Sequence, residues 1–430
     1  MTSSPTTDPT TDPTTDPTVG TGAATSIYLD HNATTPLDPR VLEAMLPLFQ
    51  DSYANPSSPH LAGRAVADLV DVARAQVAAL LGAPTGAQGY DVVFTSGATE
   101  AANLAVRGVL AGSVLTPGRT QVLVGATEHR AVLEAARVAT AHGRGVLLPV
   151  AVRRDGRLDL GHLRSLLHAD TALVAVMAAN NETGALTDVR KVAELAHRAG
   201  ALVLCDVTQA AGKVEVALAD WGVDLAVASA HKLGGPKGVG AMVVRHGLLA
   251  QLTPLVVGGG QERGLRPGTL NTPGIVGFGR AATLAGLERA AWAPRAARLS
   301  RLLHRLLTER LDGVHLNGPE RGRLPNTLNL RFAGAPADAL LTCVPEVAMS
   351  PGSACHGASD GEPSHVLTAM GLDRATALEC LRFSLGPRTT EAEIRTAAGL
   401  VAAGVEPVRG LRASLARWSR SGTSPRSPGL

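Results

Sequence analysis

The chain has 430 residues, 45% of them hydrophobic and 18% charged, with a formal net charge of +3. That length suggests two or three domains with room for large cores. The near-neutral charge argues against a dedicated nucleic-acid binder, and no apolar run approaches the roughly 18 residues of a membrane span, so neither nucleic acid nor membrane is an expected partner.

Residues 1–25 are dominated by a Thr/Asp/Pro repeat, PTTDPTTDPTTDPT. This composition has too little apolar surface to offset the entropy of ordering and predicts a disordered tail. It also lacks the apolar stretch of a signal peptide. From about residue 64 helical and strand patterns alternate. GRAVADLVDVARAQVAALLG carries apolar residues at helical spacing and stops at Gly82. The strand DVVFT is followed by a helix opening at SGATE, then the strand TQVLVG, the helix HRAVLEAARVATAHG and the strand GVLLPV. The helix DLGHLRSLLH, the strand TALVAVMA, the helix DVRKVAELAHRAG and the strands ALVLCDV, DLAVASA and GAMVVR complete the series. Continuous apolar strands separated by helices indicate an α/β fold with a mainly parallel sheet covered on both faces. In such sheets function gathers at the carboxyl ends of the strands.

A long helical stretch, AATLAGLERAAWAPRAARLSRLLHRLLTERL, marks a change. NTLNLRF, EVAMS and CLRFSLG beyond it read as strands of a smaller α+β domain. The expected division is a large domain over 26–290, whose opening residues can pack against the small domain. The small domain spans 291–410, and 411–430 form a flexible tail.

Only four lysines occur, at 191, 213, 232 and 237, so a lysine in an unusual setting is informative. Lys232, in SAHKLGGPKG, follows a strand and precedes a Gly-rich turn, where an amine can form a Schiff base with a carbonyl. Lys237 has the looser context. SGATE, with Ala98 and Thr99, turns a strand into a helix N-terminus, which suits a phosphate but also suits a simple helix cap. Asp206 closes an apolar strand three residues before Gln209; it can cap a helix or hold a protonated ring nitrogen. His129 lies just past another strand. A phosphate cradle, a carboxylate, a lysine and a flat aromatic side chain, all at strand ends, together make the protein's half of a pyridoxal phosphate site.

Four cysteines, at 205, 343, 355 and 380, show no zinc-type spacing. Cys205, Cys343 and Cys380 sit in apolar runs and are expected to be buried and inert, in a reducing compartment such as the cytoplasm. Cys355 differs. It lies among Gly, Ser, Ala and Pro in MSPGSACHGASDGEPSH, next to His356. A thiol on a Gly/Ser-flanked loop is placed to move rather than to pack.

The ordered series YLDHNATTP, SGATEAANLA, TEHRAVL, NNETG, DVTQAAGK, SAHKLGGPKGVGA, GGGQERGLRPGT, SPGSACHGAS and LRFSLG resembles the cysteine desulfurases over roughly residues 27–410. The resemblance implies the aspartate-aminotransferase-like fold type I of pyridoxal 5'-phosphate enzymes, with a seven-stranded sheet in the large domain. It implies that Lys232 holds the cofactor, that Asp206 pairs with its ring nitrogen, that Gln209 bonds the ring oxygen and that His129 stacks on the ring and acts in catalysis as a proton shuttle. Ala98, Thr99, Ser229 and His231 would hold the phosphate, joined by Thr269 from a second subunit of a homodimer. Asn181 and Arg382 would take the carboxylate of L-cysteine, and Cys355 would accept the sulfur and pass it to an acceptor protein. Ala230 stands where the family usually has Gly, and Pro351 where Ser is common; neither position carries a role. The longer Cys loop is similar to that of the group serving iron–sulfur assembly and tRNA thiolation. Selenocysteine cleavage, DNA sulfur modification and transamination would draw on the same cofactor half-site.

Overall fold

The structure is a computed structural model that describes residues 26–87, 89–111, 117–351 and 362–420, with side chains through 412. Cys355 and the tail 1–25 lie outside the described residues. The strands in chain order are β1 Ile27–Tyr28, β2 Tyr90–Thr95, β3 Gln121–Gly125, β4 Val146–Val150, β5 Thr171–Met177, β6 Leu202–Asp206, β7 Leu225–Ser229, β8 Gly240–Arg245, β9 Val314–Asn317, β10 Thr327–Phe332, β11 Val347–Ala348, β12 Ser350–Pro351 and β13 Cys380–Ser384.

Seven of them form one sheet in the order β2-β8-β7-β6-β5-β3-β4. All pairs in it are parallel except those of β8, which runs antiparallel to both neighbours. β2, β5 and β7 are buried at every position, as a sheet covered on both faces requires. Alternation within each strand divides the core. Val92 and Phe94 of β2 pack with the helix Leu61–Leu80, while Val93 faces the helix Ala98–Ala111. On β7, Ala226 and Ala228 take the first face, and Leu225 and Val227 the second.

The helix Thr272–Arg310 joins two cores. Ile275, Phe278 and Ala282 pack against the large sheet. Beyond Pro294, Leu299, Leu303 and Leu307 enter a second core with Leu330, Phe332, Leu381 and Phe383. That core covers an antiparallel sheet of order β12-β13-β10-β9, with Phe332 and Phe383 edge to face at 6.4 Å. Leu29, just after β1, packs into this second core, and β1 pairs parallel with β11.

Three local expectations are corrected. EVAMS is not one strand: the chain breaks at Met349, so that β11 pairs with β1 while β12 pairs with β13 in the other sheet. Cys343 is exposed. It ends the helix Ala337–Cys343, where Leu340 and Val344 take the inward positions and the intervening turn carries Cys343 outward. Residues 411–420, read from sequence as the start of a tail, continue the helix Glu391–Arg420; extending an existing helix adds one backbone bond per residue and needs no new nucleus.

Candidate active site

The carboxyl ends of the parallel strands surround a cavity of about 500 Å³. Ten of the residues singled out from sequence line it: Ala98, Thr99, His129, Asn181, Asp206, Gln209, Ser229, His231, Lys232 and Arg382. Thr269 is exposed on the loop before Asn271 and is not among the lining residues. Lys237 does line the cavity, but it is exposed, whereas Lys232 is half-buried.

Each lining group is set by its strand. β7 ends in Ser229 and passes into the one-turn helix Ala230–Lys232, whose buried Ala230 donates its N–H to Val239 O. The following Gly234 has φ +78°, and a Cβ on Gly235 would lie 2.8 Å from Ala230 O, so the turn that orients Lys232 needs both glycines. Lys232 Nζ donates to Asn32 O and Ala33 O, both at 2.6 Å. β6 ends in Asp206, whose Oδ1 accepts from the Thr208 N–H at 2.8 Å. His129 accepts the Ala131 N–H at Nδ1 and opens the helix Arg130–Thr140.

At the other end of the cavity β2 turns through Ser96 and Gly97 into the helix Ala98–Ala111. The first backward bond of this helix is Ala101 N–H to Gly97 O at 3.1 Å, which leaves the preceding N–H groups of the first turn for an external acceptor. A Cβ on Gly240 would lie 2.6 Å from Gly97 Cα, so β8 can approach this turn only as glycine. Together with Ser229 and His231, which line the same cavity, this turn could hold a dianion such as phosphate. Arg382 donates Nη2 to Asp30 Oδ1 at 2.7 Å and Nη1 to Asn181 O at 3.2 Å. Its Nε is buried without a hydrogen-bond partner, so this guanidinium keeps an unused donor at the edge of the cavity it lines.

Two groups central to this geometry were not singled out from sequence, although both lie in the quoted motifs. Asn32 is 1% exposed. Its carbonyl accepts from Lys232 and Gln209, its Oδ1 from Lys213 and Asn326, and its Nδ2 donates to Asn181 O and Thr327 Oγ1. Lys213 is buried and donates to Gln209 Oε1 at 2.5 Å. Burial, then the nearby Lys232 and Arg382, hold its amine well below the usual range. The scarcity of lysine was the available signal for Lys213; nothing local marks Asn32.

Burial, followed by neighbouring lysines, lowers both His31 and His231 to about 4. In the cofactor-free protein these two imidazoles should therefore stay neutral as pH falls through 6.5 and gain a proton only near pH 4. Imidazole chemical shifts measured across pH 4–8 read this directly; a midpoint near 6.5 for either would contradict the burial seen here.

The residues at hand fit pyridoxal phosphate: an amine on a rigid turn, a carboxylate at a strand end, a flat imidazole and a glycine-lined anion cradle share one cavity. The family model of class-V aminotransferases matches residues 27–396. A cysteine desulfurase of Frankia sp. (strain EuIK1) is 56% identical over 397 residues, covering 90% of this chain and 93% of that protein. A solved NifS-like protein superposes with a TM-score of 0.80 at 34% identity, covering 88% of this chain and 98% of the other. A structure described as SspA in complex with cysteine superposes with a TM-score of 0.72 at 30% identity, covering 84% and 99%.

Proposed function

This chain belongs to the class-V aminotransferase family, among its cysteine desulfurases, and on that premise we propose that it removes sulfur from L-cysteine to give L-alanine and a persulfide on Cys355. The observation that carries the reading is the convergence of Lys232, Asp206, Gln209, His129 and Arg382 from separate elements on one cavity. Pyridoxal phosphate, when bound, supplies the electron sink that stabilises charge at the substrate Cα. Lys232 would hold it, Asp206 would pair with its ring nitrogen, Gln209 would bond its ring oxygen and His129 would stack on its ring. The helix N-terminus at Ala98 and Thr99, with Ser229 and His231, would receive the phosphate.

Arg382 and Asn181 bind the substrate carboxylate, which fixes the Cα–H bond toward Lys232. Lys232 Nζ takes that proton and returns it in the later half of the turnover. The thiolate of Cys355 then attacks the substrate sulfur. A sulfur–sulfur bond forms, the carbon–sulfur bond breaks, and the bonding pair stays with the substrate carbon, which is protonated and leaves as L-alanine. Oxidation of the enzyme thiol to a persulfide and reduction at that carbon balance, so no external oxidant is needed. The persulfide passes to an acceptor protein, in iron–sulfur assembly or tRNA thiolation. The direct test is incubation with L-cysteine: equimolar alanine and a one-sulfur adduct support the reading, and pyruvate or keto-acid-dependent exchange instead would favour transamination.

We also propose a homodimer in the cytoplasm. Leu42, Leu46, Phe49, Tyr53, Leu61, Val256 and Val257 are exposed apolar side chains that a second copy could cover. The loop bearing Thr269 is clamped by Arg74–Glu262 and Arg266–Glu100 pairs at 2.8 and 3.0 Å, which presents Thr269 outward, where it can complete a second subunit's phosphate site. Among the described residues no helix is long and apolar enough to cross a membrane. Light scattering of the purified protein should give twice the chain mass; a fully active monomer would refute the shared site.

A further inference from the structure

Glu182 is a buried acid that the proposed chemistry does not use. It sits in the turn that follows β5, 4% exposed. Asn180 builds this turn: its Oδ1 accepts the N–H groups of Glu182 and Thr183, both at 2.9 Å, and its Nδ2 donates to Thr127 O at 3.1 Å. One tight turn thereby adjoins Asn181, the Arg382 bond to Asn181 O and the segment leading to His129.

From the other side Ser364 donates its hydroxyl to Glu182 Oε2 at 2.5 Å, and Ser364 is 2% exposed. The same Ser364 oxygen accepts the N–H groups of Val366 and Leu367 at 3.1 and 3.2 Å and so caps the helix His365–Ala369. Next to it, His365 Nε2 lies 2.9 Å from Glu128 O, directly before His129 in the chain. The stretch that carries Cys355 rejoins the described chain at residue 362, two residues before Ser364. Val366, Leu367 and Met370 pack with Ala377 and Cys380 in a small cluster of their own, outside the two main cores. This helix is therefore a light element joined to the wall of the site by His365 at the Glu128 carbonyl and by the Ser364–Glu182 bond, and of these two contacts the second links side chain to side chain.

We propose that the Glu182–Ser364 hydrogen bond tethers the chain that returns from Cys355 to the wall holding His129 and Asn181, making Glu182 a positioning residue for sulfur transfer. The inference rests on the desulfurase reading for its kinetic consequence, but the tether itself does not. A hydroxyl held on a buried carboxyl is strong and short because no water competes. Burial raises the Glu182 carboxyl to about 7, opposed by the Ser364 hydroxyl, Arg382 and His129; an acid this costly to bury fits a directional contact better than a packing role.

Ser364→Ala, Ser364→Thr and Glu182→Ala variants of the cofactor-loaded full chain test this. Ser364→Ala should slow alanine formation about tenfold to a hundredfold, the effect of losing one hydrogen bond to an acid. The visible cofactor spectrum and the L-cysteine concentration that half-saturates its change should be unaltered, and Ser364→Thr, which restores the hydroxyl, should come within a few-fold of the wild type. Turnover of Ser364→Ala within twofold of wild type overturns the proposal. So does a loss of turnover that comes only with weaker cofactor or cysteine binding, which would mark a merely structural role. Amide exchange provides a readout that needs no activity. Glu182→Ala should speed exchange in residues 364–370 severalfold and leave Thr171–Met177 unchanged; unchanged exchange in 364–370 overturns the tether. Wild-type protein that forms no alanine removes the functional reading alone, and the exchange result still decides the tether.

Discussion

Lys232→Ala is expected to purify without the visible absorbance of a lysine-bound cofactor and to form alanine from L-cysteine at least roughly a thousandfold more slowly, the scale of losing a positioned proton-transfer group. Lys237→Ala should keep both properties. The contrast is sharp because both amines line the same cavity. What separates them is preorganisation. Lys232 emerges from a one-turn helix welded to β7 and β8 through Ala230, and its half-buried Nζ is already held by the carbonyls of residues 32 and 33. Lys237 is exposed beyond the Gly-rich turn. Absorption spectra of the two variants, recorded after saturation with pyridoxal phosphate, decide the matter; the reverse pattern would move the cofactor lysine.

Cys355→Ser should retain the visible spectrum and its response to L-cysteine, yet release no alanine above background and carry no added sulfur. The other cysteines cannot substitute for it. Cys205 is fully buried, and desolvation followed by Asp206 and Glu128 pushes its thiol well up. Cys380 is buried, donates to Thr376 O and has its thiol pushed up to about 12, chiefly by burial. Since the thiolate is the nucleophile, both are inert near neutral pH. Cys343 is the informative control. It is exposed, contrary to the sequence expectation, but it sits at the end of Ala337–Cys343 in the second core's periphery and does not line the cavity. Cys343→Ser should therefore turn over at the wild-type rate. Mass spectrometry after brief incubation with cysteine settles the assignment; a sulfur adduct on Cys343, Cys205 or Cys380 in place of Cys355 would overturn it.

The sequence by itself determined the parts that depend on short-range periodicity and on residue chemistry. Apolar runs within 91–95, 171–178 and 224–230 specified fully buried strands, and turns such as SGATE and SAHKLGG marked strand ends with groups suited to phosphate and amine chemistry. It also isolated Cys355 by its surroundings. The tertiary structure decided what no local pattern contains. β8 reads like its neighbours, yet it runs antiparallel, because direction is set by the connection and not by the apolar run. Asn32 becomes the hub of the site through partners up to 352 residues away, and Glu182 meets Ser364 across 182 residues. An asparagine or a glutamate carries no periodic signature, and its role appears only when folding removes water and leaves its polar atoms to be paired with distant ones. Cys343 shows the converse: an apolar stretch promised burial, but the phase of a helix, one residue at a time, decided which side chain faced out.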